Sequence, residues 1–375
     1  AGAWELQGAG AGADAVAVGE NVDVESMDRT SDADNALWLW RDGFLVPDSL
    51  ELASACDGCA STEKLKSKPA MFDASGLCVE QHFVSSLDGT RVPYFIIRRS
   101  ELPLDGSTPT LLDAYGGFEV SELPRYSAGV GAGWLEAGGV KVIANIRGGG
   151  EYGPTWHQAA LKEKRHKAYE DVEAVAQDLI ARKITSPPRL AVIGGSNGGL
   201  MVGNMLCRPV AASVFGAAVC QVPLLDMKVY SKLLAGASWM AEYGNPEIPE
   251  EWAFLRRHSA YQMLRHDCLG LEEAGGPDVG GAPRSVCAEA GKAEQWTCPK
   301  VLFTTSTRDD RVHPGHARKM VAALQTEAAP KGKAPLVYYW ENIEGGHGGA
   351  ADNKQRAYMW ALTYRFLAKV LEVGA

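Results

Sequence analysis

The sequence predicts an α/β protein in which helices cover a mainly parallel central sheet, with a short β segment in front of it. Three observations lead there. From residue 110 onward, apolar runs of strand length alternate with amphipathic segments of helix length, the pattern of a parallel sheet covered on both faces. One of these runs, Leu190–Ile193, leads into a serine framed by glycines, Gly194-Gly195-Ser196-Asn197-Gly198-Gly199, and then into a helix-like segment beginning at Leu200. The first 70 or so residues carry only short strand candidates separated by polar turns.

Taken in order, residues 1 to 35 join a Gly/Ala-rich start to an acidic stretch that includes Asp14, Glu20, Asp23, Glu25 and Asp28. Ala36–Trp40, Phe44–Pro47 and Leu50–Ala53 then read as short strands of a single β-blade or small sheet, and the character changes near Lys64 to Pro69. Val79–Val84 and Val92–Ile97 flank Asp88-Gly89, a strong hairpin turn signal. Further strands are predicted at Thr110–Ala114, Val140–Ile146, Leu190–Ile193, Val214–Cys220, Val301–Thr305 and Leu336–Trp340. Helices are predicted at Tyr169–Arg182, Ala317–Thr326 and Gln355–Leu371. In the first of them Val172, Val175, Ala176, Leu179 and Ile180 share one face. Residues 267–297 break the pattern with glycines and prolines and read as a surface insertion. The expected organisation is therefore an N-terminal β remnant and linker over 1–70 and one catalytic α/β domain over 71–375.

Composition narrows the function classes. The 375 residues are 46 % apolar, enough for a large core. A formal charge of −9 with no basic cluster disfavours a nucleic-acid surface. No apolar stretch approaches the ~20 residues that span a bilayer. The start, Ala1-Gly2-Ala3-Trp4, lacks the basic and apolar regions of a secretory leader and an initiating methionine, so a fragment or processed form is expected. Eight dispersed cysteines in a chain this large suggest reduced thiols and a cytoplasmic location. Cys56-Asp57-Gly58-Cys59 is a lone C-x-x-C without the second pair that a structural zinc needs. Cys268, Cys287 and Cys298 have no deciding spacing. No metal, cofactor, nucleic acid or membrane partner is expected, and the chain is expected to be a monomer.

The glycine-framed serine matches a nucleophile elbow, G-x-S-x-G, whose strained turn exposes the hydroxyl above a sheet. A serine hydroxyl needs a base to become a good nucleophile. In the order typical of an α/β-hydrolase fold, an acid and then a histidine follow it. Asp309 and Asp310 both lie on the loop after Val301–Thr305, and His347 lies between glycines in Glu344-Gly345-Gly346-His347-Gly348-Gly349. Ser196 would be the nucleophile, His347 the base and then the acid, and one of the two aspartates the orienting carboxylate. His313 and His316 form an H-x-x-H without a third ligand and read as solvated or capping groups. His157, His166, His258 and His266 read as surface or packing groups. Gly148-Gly149-Gly150-Glu151-Tyr152-Gly153 fits G-x-G-x-x-G formally, but no acidic residue ends a second strand about 20 positions on, so a loop beside the elbow is the better reading.

Together Gly194–Gly199, Asn145-Ile146-Arg147-Gly148-Gly149-Gly150-Glu151-Tyr152-Gly153 and Asp309-Asp310-Arg311-Val312 resemble the prolyl oligopeptidase family of serine peptidases, over roughly residues 70 to 375. The resemblance implies an α/β-hydrolase domain capped by a seven-bladed propeller, of which at most the last blade would be present here. It implies Asp309, not Asp310, as the acid. By the same resemblance Tyr115 and the backbone N–H of Asn197 would hold the oxyanion. Arg311 would bind a substrate carbonyl, and Trp239 would stack on the substrate proline. Phe118, Val222, Tyr243 and Val312 would complete the pocket. A stacked aromatic with apolar walls suits a flat pyrrolidine ring without an N–H.

The expected function is hydrolysis of short peptides on the carboxyl side of proline through an acyl-enzyme, with proline-containing peptides as the partners. The alternatives are an esterase or acylaminoacyl-type peptidase on the same fold, and a catalytically silent truncated fragment with a binding role.

Overall fold

In the computed structural model, residues 16–373 are described, apart from 32, 33, 58, 60, 272–295, 333 and 334. Most of the predicted insertion, including Cys287, therefore lies outside the described residues, as do Asp14 and Gly58.

Two sheets organise the chain. The first is antiparallel, β1 (Glu20–Ser26), β2 (Ala36–Gly43), β3 (Ser49–Ser54) and β4 (Thr62–Ser67), paired in chain order. Its outer strands do not stand out in the sequence: β1 sits in the acidic stretch, and β4 is exposed along its whole length. Phe44–Pro47 is the turn between β2 and β3 rather than a strand, closed by a bond from Gly43 N to Val46 O.

The second sheet has eight strands: β5 (Leu77–Ser85), β6 (Arg91–Arg99), β7 (Thr110–Ala114), β8 (Val140–Ala144), β9 (Leu190–Gly195), β10 (Ala217–Gln221), β11 (Lys300–Ser306) and β12 (Val337–Asn342). Their order is β12-β11-β10-β9-β7-β8-β6-β5. The strands from β7 to β12 run parallel, and the hairpin β5–β6 adds an antiparallel edge beside β8. Buried on both faces, the central strands send alternate side chains to two cores. Leu190 and Val192 of β9 enter one core, Ala191 and Ile193 the other. The first core is covered by α1 (His166–Ala181), α2 (Asn197–Cys207) and α3 (Gly315–Thr326), the second by α4 (Asn353–Leu371).

The predicted strand at Val214–Cys220 begins later, at Ala217. Pro209 opens a short helix, Pro209–Val214, because its fixed φ suits the first helical position. The helix after the elbow starts at Asn197, three residues before the expected Leu200.

Beneath the hairpin, the almost fully buried Arg147 donates to Asp171 on α1, to Asp88 at 2.6 Å and to Ser86 Oγ at 3.1 Å. Its guanidinium keeps the Asp88 carboxyl well below the usual range, so the Asp88-Gly89 turn is tied to α1 by charge.

His316 is buried, not solvated, and its Nδ1 accepts the backbone N–H of Asp226 at 3.1 Å. His313 does cap its helix, accepting from Gly315 N at 3.0 Å. Burial pushes the His316 pKa down to about 4 from an ordinary 6.5. The unfolded chain then binds more protons than the folded one between these values, so this contribution to stability is lost as pH falls through that window. We expect about 2 kcal/mol of pH-dependent destabilisation between pH 7 and 5 from this group. Urea unfolding of the wild type and His316→Asn at both pH values checks it; identical pH slopes would refute the assignment.

Candidate active site

The strand order reverses between β7 and β9, and in open α/β sheets such a switch point opens a crevice at the carboxyl ends of the strands. Tyr115 follows β7 there and Ser196 follows β9. Asp309 and His347 lie on the loops beyond β11 and β12.

Ser196 has φ +58 and ψ −115, a conformation that non-glycine residues rarely adopt. Its own N–H is held by Gln221 O at 2.9 Å. The flanking glycines allow backbones to touch. A Cβ on Gly194 would sit 2.5 Å from Gly198 O, one on Gly198 2.9 Å from Ala114 O, and one on Gly199 2.8 Å from Gln221 O. Gly195 differs, since its Cβ would meet nothing closer than 3.7 Å.

His347 Nε2 lies 3.1 Å from Ser196 Oγ, and its Nδ1 lies 2.8 and 3.0 Å from the two oxygens of Asp309. The Asp309 carboxylate is fully buried and accepts the backbone N–H groups of Arg311 and Val312 at 2.9 and 2.8 Å. Asp310, which sequence reasoning could not separate from Asp309, points into solvent. The His347 loop is pinned by Asn342, whose Nδ2 donates to Gly349 O at 3.0 Å, and by Ser306 Oγ, which donates to Gly345 O. Asn342 and Ser306 went unnoticed in the sequence, where neither belongs to a motif. A hydroxyl, an imidazole and a buried carboxylate in this line can pass the serine proton to nitrogen and stabilise the imidazolium that results.

Ser196, Asn197, Tyr115, Phe118, Trp239, Tyr243, Arg311 and Val312 line one cleft of about 280 Å³. Burial raises the Tyr115 phenol above its ordinary pKa, which keeps it a hydrogen-bond donor near neutrality. Asn197 is the first residue of α2, where backbone N–H groups lack intrahelical partners. Trp239 is half-buried, and the Arg311 side chain is exposed while its backbone N–H is fixed on Asp309. Val222 is the predicted pocket residue placed elsewhere: with φ +37 it lines a neighbouring cavity that includes Gln221, His347 and Met359. The Gly148–Gly153 loop packs on the Tyr115 loop, where a Cβ on Gly148 would lie 2.4 Å from Gly116 O.

A family model described as the prolyl oligopeptidase family matches residues 127–374. The chain belongs to the prolyl oligopeptidase family. It is 45 % identical over 347 residues to an uncharacterized peptidase of Sinorhizobium fredii, covering 92 % of this chain and 42 % of that one. It is 35 % identical over 315 residues to a prolyl endopeptidase of Elizabethkingia miricola, covering 83 % of this chain and 39 % of the relative. Among solved structures it resembles a post-proline cleaving enzyme from Rickettsia typhi, with TM-score 0.75 and 31 % identity, covering 95 % of this chain and 45 % of that one. The chain thus spans less than half the length of the relatives it matches. Family membership makes the α/β-hydrolase fold the frame for these residues. Among the described residues, no helix is long and apolar enough to cross a membrane.

Three residues behind the cleft carried no sequence signal: Glu242, Arg165 and His157. Glu242 and Arg165 are buried and paired, and His157 Nε2 lies 2.7 Å from the other oxygen of Glu242. Separated by 77 residues, Arg165 and Glu242 meet only in the fold.

The spacing at the elbow gives a sharp contrast. Gly194→Ala should cost about 1–3 kcal/mol through backbone displacement, whereas Gly195→Ala should stay within about 0.5 kcal/mol. Thermal unfolding of the two variants checks this; equal losses would count against the close approach of Gly194 to Gly198.

Proposed function

We propose that this chain carries the peptidase portion of a serine endopeptidase that cleaves short peptides after proline. What carries the reading is the hydrogen-bonded line from Ser196 through His347 to Asp309, opening on the cleft that holds Trp239. We assign residues 71–375 to the peptidase domain and 1–70 to the last blade of a propeller and its linker. The single four-stranded antiparallel sheet at Glu20–Ser67 supports that division.

In the proposed reaction, Ser196 Oγ attacks the prolyl carbonyl carbon as His347 Nε2 takes its proton. The oxygen of the tetrahedral intermediate becomes an anion beside the Tyr115 hydroxyl and the Asn197 N–H, each such donor contributing on the order of 3 kcal/mol. Collapse breaks the C–N bond, and His347 returns the proton to the leaving amine. Water then attacks the acyl-enzyme, giving its proton to His347, and the prolyl acid leaves with Ser196 restored.

Selectivity follows from the walls. Trp239 offers a flat face to the pyrrolidine ring, while Phe118, Tyr243 and Val312 supply apolar surface. Phe118 and Tyr243 stand edge to face, with centroids 5.6 Å apart, so the two sides of the apolar surface meet at this ring contact. The Arg311 guanidinium is the group for a neighbouring substrate carbonyl.

A fluorophosphonate probe should label the wild type at Ser196, and Ser196→Ala should abolish labelling; persistent labelling would remove Ser196 from the role of nucleophile. Trp239→Ala should lower kcat/KM on a Z-Gly-Pro reporter by about tenfold or more, the scale of one lost stacking contact. A small activated ester should be much less affected. Equal losses on both substrates would argue against stacking on proline and in favour of an esterase.

A further inference from the structure

Two loops that must cooperate in the proposed reaction are joined through one buried carboxylate. The Tyr115–Glu119 loop carries the oxyanion donor and one wall of the cleft, and the one-turn helix Met240–Tyr243 with Trp239 before it carries the other wall. Glu242 Oε1 accepts the backbone N–H of Phe118 at 3.1 Å and a bond from Arg165 Nη2. Arg165 Nη1 donates in turn to Gly116 O. The ion pair therefore grips the loop by two peptide groups, one on each side of Gly117.

A second path closes the circuit. Asn197 Nδ2 donates to Tyr115 O at 2.6 Å, and Asn197 Oδ1 accepts from Tyr243 OH at 2.8 Å. Tyr243 adjoins Glu242 in the chain, and its ring lies 5.0 Å from the Arg165 guanidinium. A Cβ on Gly117 would be 2.6 Å from Asn197 Nδ2, so the loop has no slack on that side. Phe118 and Glu119 both have φ +57, a left-handed pair of non-glycine residues that persists only where the surroundings over-determine it. Glu242 is itself 4 % exposed and does not line the cleft, so it acts through the groups it holds.

We propose that Glu242, fixed by Arg165, is a positioning residue that locks the oxyanion donor and the proline pocket into one rigid unit. This rests on the catalytic reading above. A buried ion pair adds little net stability, whereas bonds to both flanking peptide groups of a strained loop add geometric definition. The unit ties acceptance of the proline ring to the placement of the Tyr115 hydroxyl, so a misfitting side chain in the pocket would disturb the oxyanion hole as well as the wall.

The test uses Glu242→Gln and Arg165→Lys in the intact protein. Glutamine keeps an oxygen for Phe118 N–H but loses the charge that Arg165 and His157 face. Lysine keeps the charge but cannot bridge Glu242 and Gly116 O as a guanidinium does, and it serves should the glutamine variant fail to fold. Each should lower kcat per fluorophosphonate-titrated site on a prolyl reporter by on the order of tenfold, with a smaller change in KM. The rate of phosphonate labelling should fall by a similar factor, and hydrogen exchange of the amides in 114–121 should accelerate by at least that much. A purely structural pair would instead raise exchange throughout and reduce the number of titrated sites, with labelling per site unchanged; that result, or unchanged exchange at 114–121, overturns the proposal. If the wild type labels but cleaves no prolyl peptide, the substrate reading falls and labelling with exchange still decides the role of Glu242. If the wild type does not label, exchange alone decides it.

Discussion

The fold turns on the contact of four backbones around Ser196. β9, the start of α2, the end of β10 and the end of β7 approach so closely that Gly194, Gly198 and Gly199 have no room for a side chain. This contact holds Ser196 at positive φ, with its N–H on Gln221 O and the N-terminus of α2 directly behind it. Loosening any of the four would let the serine relax toward ordinary φ and turn its hydroxyl away from His347. The strand order that brings β7 beside β9 also places Tyr115 in the same cleft as Ser196, so one constraint sets the positions of both the proposed nucleophile and the proposed oxyanion donor.

Around this contact lie buried arginine–carboxylate pairs. Arg147 with Asp171, Arg208 with Glu173 and Arg165 with Glu242 each join segments distant in sequence. Such pairs contribute little net stability against an apolar alternative, but they restrict the arrangement, because losing one partner strands a buried charge. Arg147 orders the β5–β6 turn on α1, and Arg208 ties the end of α2 to α1, so that helix is braced at two places. The helix that follows the elbow is thereby tied at its end to α1.

The legible part of the sequence was whatever local chemistry enforces. The elbow shows because Gly194, Gly198 and Gly199 are sterically required, and His347 shows because it lies between glycines in the right chain order. The central strands show because burial on both faces makes them continuous apolar runs. Asp309 and Asp310 could not be separated by local reasoning: what distinguishes them is acceptance of the Arg311 and Val312 amides and a buried approach to His347, both products of folding. The strands β1 and β4 were missed because they are largely polar and lie at the edges of their sheet. Glu242 and Arg165 were missed for another reason: a charged residue outside any motif reads as solvated until its distant partner is known. His316 was misread in the same way, since H-x-x-H at a helix start carries no record of the Asp226 amide that buries it.

The walls of the cleft belong to a satellite core rather than to the sheet. Leu224, Met227, Tyr230, Tyr243, Trp252 and Leu255, all from the segment of chain that joins β10 to β11, pack together with Trp239 and Phe118 against them. The loops that carry Ser196, Asp309 and His347, by contrast, spring from strand ends within the main cores. Groups that would do chemistry and groups that would select substrate therefore draw their rigidity from different packing units. Such a division lets an aromatic wall change without disturbing the serine, but it leaves the register between wall and nucleophile to the few bonds that cross between them. Those crossing bonds are the Tyr243 hydroxyl on Asn197, the packing of Leu200 and Val312 into the satellite core, and the Glu242 carboxylate on the Tyr115 loop. Selectivity in such a site depends on that register as much as on the shape of the pocket itself.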